Sequence, residues 1–264
     1  MDHMKHILSY ARRAVDDYDM IREGDRVCVG VSAGKDSLAL LHALAGLRRF
    51  YPRRFELMAV TVDMGFGTIE ANRDKVLPTD PYAPIRELCA SLEVPYQVVP
   101  SEIAKIIFDV RREANPCSLC AKLRRGALNN AAKALGCTTV ALGHHFDDAV
   151  ETFMLNLFFE GRIGCFQPVT YLSRVDLRVI RPLLYCPEKE IRAFAAHTEL
   201  PVVPSACPAD ENTQRENMKR LLRDLERENR GLRHRIFGAM QRGEIDGFHL
   251  PDRRPLVFPE PEEE

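Results

Sequence analysis

Apolar positions in this chain follow two rhythms that take turns. Ile7, Leu8, Ala11, Ala14, Val15, Tyr18 and Ile21 recur at helical spacing and predict an amphipathic N-terminal helix over residues 3–21. After it, short apolar runs alternate with helical stretches. GDRVCVGVSAG reads as a strand entering a tight loop of small residues, and KDSLALLHALAGL as the helix leaving that loop. FELMAVTVDM reads as a strand, APIRELCASLEV as a helix and PYQVVPS as a strand. AKLRRGALNNAAKALG is a predicted helix ending at Gly136, CTTVALGHH a strand, and FDDAVETFMLNLFFEG a helix ending at Gly161. Further on, RVIRPLL is expected to be a strand and CPEKEIRAFAAHTEL a helix begun near Pro187. Residues 212–230 should form a charged helix carrying Met218, Leu221, Leu222 and Leu225. The proline-rich, acidic tail LPDRRPLVFPEPEEE is expected to be disordered.

Strands that alternate with helices predict an α/β fold, a parallel sheet with helices on both faces. The expected organisation is an N-terminal helix (1–24), a core domain (25–205), a basic helical extension (206–245) and a tail (246–264). In such sheets ligands bind beyond the carboxyl ends of the strands. The residues least expected of a plain scaffold gather at those ends: Ser32–Ser37, Asp63 and Gly143–Asp148.

Composition narrows the classes. At 264 residues with 45% hydrophobic content, the chain can bury a sizeable core. No stretch approaches the roughly 18 apolar residues of a membrane-spanning helix, and the charged N-terminus lacks a signal-peptide run, so a cytoplasmic location is expected. A formal net charge of −1 gives no global argument for nucleic-acid binding, so any such surface must be a local patch. Two patches qualify. Arg215, Lys219, Arg220, Arg223, Arg227, Arg230, Arg233 and Arg235 crowd one segment, although interleaved Glu216, Asp224, Glu226 and Glu228 would equally suit a solvated, ion-paired helix. Lys122, Arg124 and Arg125 form the second. The eight cysteines are expected to be reduced, and Cys28, Cys89, Cys137, Cys165 and Cys186 to be small buried residues.

Three segments carry candidate chemistry. In SAGKDS, Ser32, Ala33, Gly34, Lys35, Asp36 and Ser37 sit where a strand becomes a helix, and small residues, hydroxyls and free helix N–H groups there suit an anion. An ordinary strand-to-helix turn with Asp36 as the cap would look similar. In GHHFDDAVET, Asp147 and Asp148 can cap a helix, and His144 and His145 can pack or ligate metal. Cys117 and Cys120 form a CxxC, which by spacing alone is a zinc half-site, a redox dithiol or part of an iron–sulfur ligand set. With Cys207 the thiols number three, and the fourth ligand of a structural zinc would have to come from His144, His145 or another cysteine.

VCVGVSAGKDSLALL resembles the PP-loop of N-type ATP pyrophosphatases, proteins of adenine nucleotide α-hydrolase-like fold. PCSLCAKLRRGALNNAAKALG, GHHFDDAVETFMLNLFFEGR and PSACPADENTQRENMKRLLRDLE, together with AVDDYDMIREGDRVCVGVSAGKDS, resemble the TtcA family of tRNA cytidine thiolases over roughly residues 5–240. The resemblance implies an ATP-dependent tRNA sulfurtransferase. In it, ATP adenylates the C2 oxygen of an anticodon-loop cytidine, and sulfur delivered on a 4Fe-4S cluster replaces that oxygen, giving 2-thiocytidine, AMP and pyrophosphate. It implies ATP contacts at Ser32–Ser37, Asp63 and Gly143, phosphate neutralisation by Lys35, and Mg²⁺ binding by Asp36. Asp147, preferred to Asp148, would bind Mg²⁺ or position substrate. Cys117, Cys120 and Cys207 would hold the cluster, and Lys122, Arg124, Arg125, Arg215, Lys219, Arg220 and Arg223 would meet tRNA. A cysteine desulfurase or sulfide would supply sulfur; a homodimer is left open. The family's usual glycine at the second loop position is Ala33 here, tolerable at negative φ and costly at positive φ. Two rivals stand beside this reading: a PP-loop enzyme that makes 2-thiouridine or transfers an amine, and a zinc-stabilised RNA-binding module with an inactive loop.

Overall fold

The computed structural model describes residues 3–112, 116–209 and 214–251. Helix α1 (His3–Asp17) is followed by β1 (Asp25–Gly30), α2 (Lys35–Leu47), β2 (Phe55–Asp63), α3 (Ala83–Ser91) and β3 (Tyr96–Pro100). A short α4 (Ile103–Lys105) runs into a π-helical turn, Ile106–Val110. Then come α5 (Pro116–Ala134), β4 (Thr139–Ala141), α6 (Phe146–Phe159), β5 (Val169–Leu172), β6 (Leu177–Ile180), α7 (Glu188–His197), α8 (Gln214–Glu228) and α9 (Leu232–Arg242).

The strands form one sheet in the order β3-β2-β1-β4-β6-β5. Alternation along each strand sends side chains to opposite faces. Val27, Val29, Leu57 and Ala59 join one apolar core with α1, α2 and α7. Cys28, Met58, Val60 and Val62 join a second with Ile103, Ile107, Leu128 and Ala132 from the α4 and α5 side. Helix α1 docks through fully buried Ile7, Ala11, Ala14 and Val15 against α2 and α7.

One expectation of the sheet needs correction. Five strands are parallel, but β5 pairs antiparallel to β6, Val169 opposite Ile180 and Leu172 opposite Leu177. Only four residues separate the two strands, too few for the crossover a parallel neighbour requires. The chain lays β2 and β3 on one side of β1, then β4 and β6 on the other. The order therefore reverses between β1 and β4, and a crevice opens beyond their carboxyl ends.

The expected tail from residue 246 also starts too early. Residues Ile245–Gly247 form a short turn, and Phe248 is fully buried, edge-on to Phe237 of α9 with ring centroids 5.5 Å apart. His249 Nε2 lies 3.0 Å from the Asp17 carbonyl, which closes the chain end onto α1. The remainder of the expected tail, 252–264, lies outside the described residues, as do 210–213 at the start of the expected extension.

Candidate functional site

The β1–α2 loop forms the floor. Gly34 is the N-cap of α2 and makes no side-chain capping bond, so Asp36 is not the cap. The first intrahelical bond runs from the Leu38 N–H to the Gly34 carbonyl at 3.2 Å. The N–H groups of Lys35, Asp36 and Ser37 precede that bond, at the positive end of the helix dipole, where an anion can be held. Buried Ser37 folds the loop: its hydroxyl donates to the Gly34 carbonyl at 2.9 Å and accepts from the Ser32 N–H at 3.1 Å.

Ala33 adopts φ +66°, so the alanine takes the left-handed conformation a glycine favours. Its carbonyl accepts the Val203 N–H at 3.1 Å, which ties the loop to the segment leading to Cys207. Gly143 closes the opposite wall, and a Cβ there would stand 3.0–3.1 Å from the Asp36 carbonyl group and the Ser37 nitrogen. Its immediate work is therefore to let the β4 loop lie against the first turn of α2.

Lys35 is held from two sides. Its ammonium lies 2.9 Å from Asp36 Oδ1 and 3.0 Å from Glu188 Oε1, at the first residue of α7. Burial opposes the Lys35 charge, but these carboxylates override it and raise its pKa. Burial also disfavours the Glu188 carboxylate, yet Lys35, Lys219 and Arg192 bring it down to about 2. Asp63, at the end of β2, accepts from the Gly65 N–H at 3.0 Å and the Tyr82 hydroxyl at 3.2 Å.

The GHHFDD segment builds the second wall. His145, not an aspartate, is the N-cap of α6: its Nδ1 accepts the Asp148 N–H, and Asp148 accepts the His145 N–H, a reciprocal capping box. Asp147 is turned elsewhere. One of its oxygens pairs with Arg233 of α9, and the other accepts the Glu188 N–H at 2.7 Å. The carboxylate expected to hold Mg²⁺ or substrate thus has both oxygens engaged in joining α6, α7 and α9. His144 packs on Phe166 at 4.9 Å; burial, then Arg181, holds it down to about 3 and so neutral.

The expected tRNA contacts divide. Arg215 bonds Asp148 at 2.9 Å and Thr152 at 3.2 Å, and Lys219 lies 3.6 Å from Glu188, so both serve the carboxylates of the site. Lys122, Arg124, Arg125, Arg220 and Arg223 are exposed, Arg220 while donating to Asn217 Oδ1 at 2.6 Å. Sequence reasoning missed Glu188 and Glu151, and counted Arg233 with the basic patch rather than against Asp147. Glu151 is fully buried with neither oxygen hydrogen-bonded, and burial raises it to about 8. The only signal was local: Glu188 opens a predicted helix and Glu151 sits a turn beyond Asp147, which reads as ordinary helix composition.

Cys117 and Cys120 lie in the first turns of α5, which begins at Pro116, so the CxxC opens this helix. Burial raises the Cys120 thiol and Arg124 lowers it; Cys117 and Cys207 both lie close enough to raise it further. Cys120 thus feels the charge of both other thiols. Among the described residues no three His, Cys, Asp or Glu side chains, these thiols included, are drawn together as ligands of a single metal ion. The donor set itself, three reduced thiols beside a guanidinium on a partly exposed surface, suits an iron–sulfur cluster.

A mostly parallel sheet carrying SAGKDS at its switch point defines a PP-loop protein, and a PP-loop domain model matches residues 5–226. A tRNA-cytidine(32) 2-sulfurtransferase of Geobacter sulfurreducens is 41% identical over 251 residues, covering 94% of this chain and 93% of its own. Another, of Teredinibacter turnerae, is 39% identical, covering 90% of this chain and 76% of its own. Among solved structures, the U34-tRNA thiolase NcsA from Methanococcus maripaludis, with its 4Fe-4S cluster, matches with a TM-score of 0.71 at 25% identity, covering 89% of this chain and 77% of that one. The chain belongs to the PP-loop family of tRNA-cytidine(32) 2-sulfurtransferases.

Proposed function

We propose that this protein is an ATP-dependent tRNA sulfurtransferase that converts a cytidine of the anticodon loop, at position 32 as in its relatives' names, to 2-thiocytidine. The observation that carries the reading is the Ala33–Val203 hydrogen bond, which joins the nucleotide loop directly to the segment that ends in the third thiol. The floor of α2 receives the terminal phosphates on the N–H groups of Lys35, Asp36 and Ser37. Lys35 exchanges its carboxylate partners for phosphate oxygens, and Asp36, released from Lys35, is placed to bind Mg²⁺. With pyrophosphate gripped there, the α-phosphorus is left open to the C2 oxygen of the base. A C2–O–P bond forms as the bond to pyrophosphate breaks, and the oxygen becomes a good leaving group.

Cys117, Cys120 and Cys207 would hold the 4Fe-4S cluster. Held there, the group would supply a site for sulfide-level sulfur, taken from solution or from the persulfide of a cysteine desulfurase together with a two-electron reductant. Sulfur then bonds to C2 and AMP departs with the former C2 oxygen. Burial raises the Cys120 thiol on balance, and the Arg124 guanidinium opposes that rise. Lys122, Arg124, Arg125, Arg220 and Arg223 supply the phosphate contacts that hold the loop, whose unpaired bases leave their stack readily. The test is nucleoside mass spectrometry of tRNA from cells with and without the gene. Loss of 2-thiocytidine in the deletion, restored by wild type but not by Cys207→Ser, is expected; an unchanged level would reject the substrate.

A further inference from the structure

Cys207 lies on an irregular segment, so something outside the segment must fix its thiol relative to the CxxC helix. Val203 is pinned to the nucleotide loop by its bond to Ala33. Three residues later, the Ala206 carbonyl accepts from Nδ2 of Asn72 at 2.9 Å. Asn72 ends a short 3-10 turn, Glu70–Asn72, in the extension that follows β2, and it is only 2% exposed. The same Nδ2 donates its other hydrogen to the Phe66 carbonyl at 3.0 Å. Both hydrogens of the amide are thereby used. Phe66 in turn packs in the apolar cluster that contains Leu119, Cys120 and Leu123 of α5. One buried side chain therefore bridges the residue preceding Cys207 to a residue that packs on the same core as the Cys120 helix. Its Oδ1 is buried without a partner, so the donor half of the amide carries the connection.

We propose that Asn72 is a positioning residue that sets Cys207 against the Cys117–Cys120 pair. The inference rests on reading those thiols as one ligand set. An aspartate at this position keeps the shape, removes both donors and turns an acceptor toward two carbonyls. An alanine removes the bridge without adding charge.

The test compares wild type, Asn72→Asp and Asn72→Ala. In metal-free protein, alkylation of each cysteine by iodoacetamide is followed by peptide mass spectrometry, with core Cys89 as the internal reference. After anaerobic reconstitution with iron and sulfide, loss of the visible cluster absorbance to a chelator is timed. Loss of two hydrogen bonds predicts that Cys207 labels about ten-fold faster and the cluster is lost about ten-fold faster, while Cys89 labelling is unchanged. Cys207 labelling at the wild-type rate would overturn the proposal, and so would a parallel rise at Cys89, which marks general loosening. If wild type takes up no iron but Cys207 labelling still responds to Asn72, the positioning role stands and the cluster reading fails.

Discussion

Ala33 shows how a single residue can be read correctly as a question and answered only by geometry. Its φ of +66° places a methyl group where the family's usual glycine would have none. The left-handed conformation costs an alanine roughly 1–2 kcal/mol, offset in part by the greater unfolded-state freedom of glycine. Ala33→Gly should therefore raise the Tm by about 2–4 °C and leave ATP binding intact, measured by calorimetry and nucleotide titration. A fall in Tm would mean that the methyl, which is buried, contributes more by packing than it costs in strain. The kept conformation also removes the motive for treating the loop as inactive. Glu151 poses the opposite case, a carboxyl that burial holds protonated at neutral pH. Its folded-state pKa is raised, so its contribution to stability is complete below the unfolded value of about 4.3 and is lost as pH rises through about 8. The Tm of wild type should decline between these limits more steeply than that of Glu151→Gln. Parallel curves would show that Glu151 is ionised throughout.

At the scale of elements, the periodic segments were legible. The helix predicted over 35–47 matches α2 residue for residue, and β2, α3, β3 and α6 lie within a few residues of their expected bounds. Their patterns are long, and each buries one face, so local spacing and tertiary burial agree. The β5–β6 hairpin was half missed, because Val169–Leu172 is a partly exposed edge strand of only four residues, too short to show a period. The π-helical turn at Ile106–Val110 has no period a sequence can display. The roles of the charged helices were misjudged for a physical reason: an arginine reads the same whether it faces phosphate or a buried carboxylate. Arg233 on α9 and Arg215 on α8 do the latter. Arg233→Ala would strand Asp147, and should destabilise by about 3–5 kcal/mol in urea unfolding. Adding Asp147→Asn should recover much of that loss. Additive losses would show that the two side chains act independently.

At the scale of the molecule, an almost neutral chain must bind tRNA through a local field. The exposed set Lys122, Arg124, Arg125, Arg220 and Arg223 should each lower the slope of log K against log salt by about 0.7–0.9 when replaced by Gln, with little effect on thermal stability. Arg215→Gln should instead lower stability, because it releases Asp148. A salt slope insensitive to all five would place the tRNA surface elsewhere. The meeting of strand ends and nucleotide loop was legible from the alternation of strands and helices. The meeting of the thiols was not, since Cys207 lies 87 positions beyond Cys120 and no spacing rule joins them. On the proposed function any link between them is tertiary, through the Ala33–Val203 bond and the packing of α5 on β2.

The account holds that nucleotide loop and thiols form one thiolation centre. Its most direct test incubates anaerobically reconstituted protein with tRNA, ATP, Mg²⁺ and sulfide, and counts AMP and 2-thiocytidine together. The two should appear in equal amounts with wild type, while Cys207→Ser yields no thiolated base. Thiolation undiminished in Cys207→Ser, or AMP released by wild type with no thiolated cytidine formed, would contradict it.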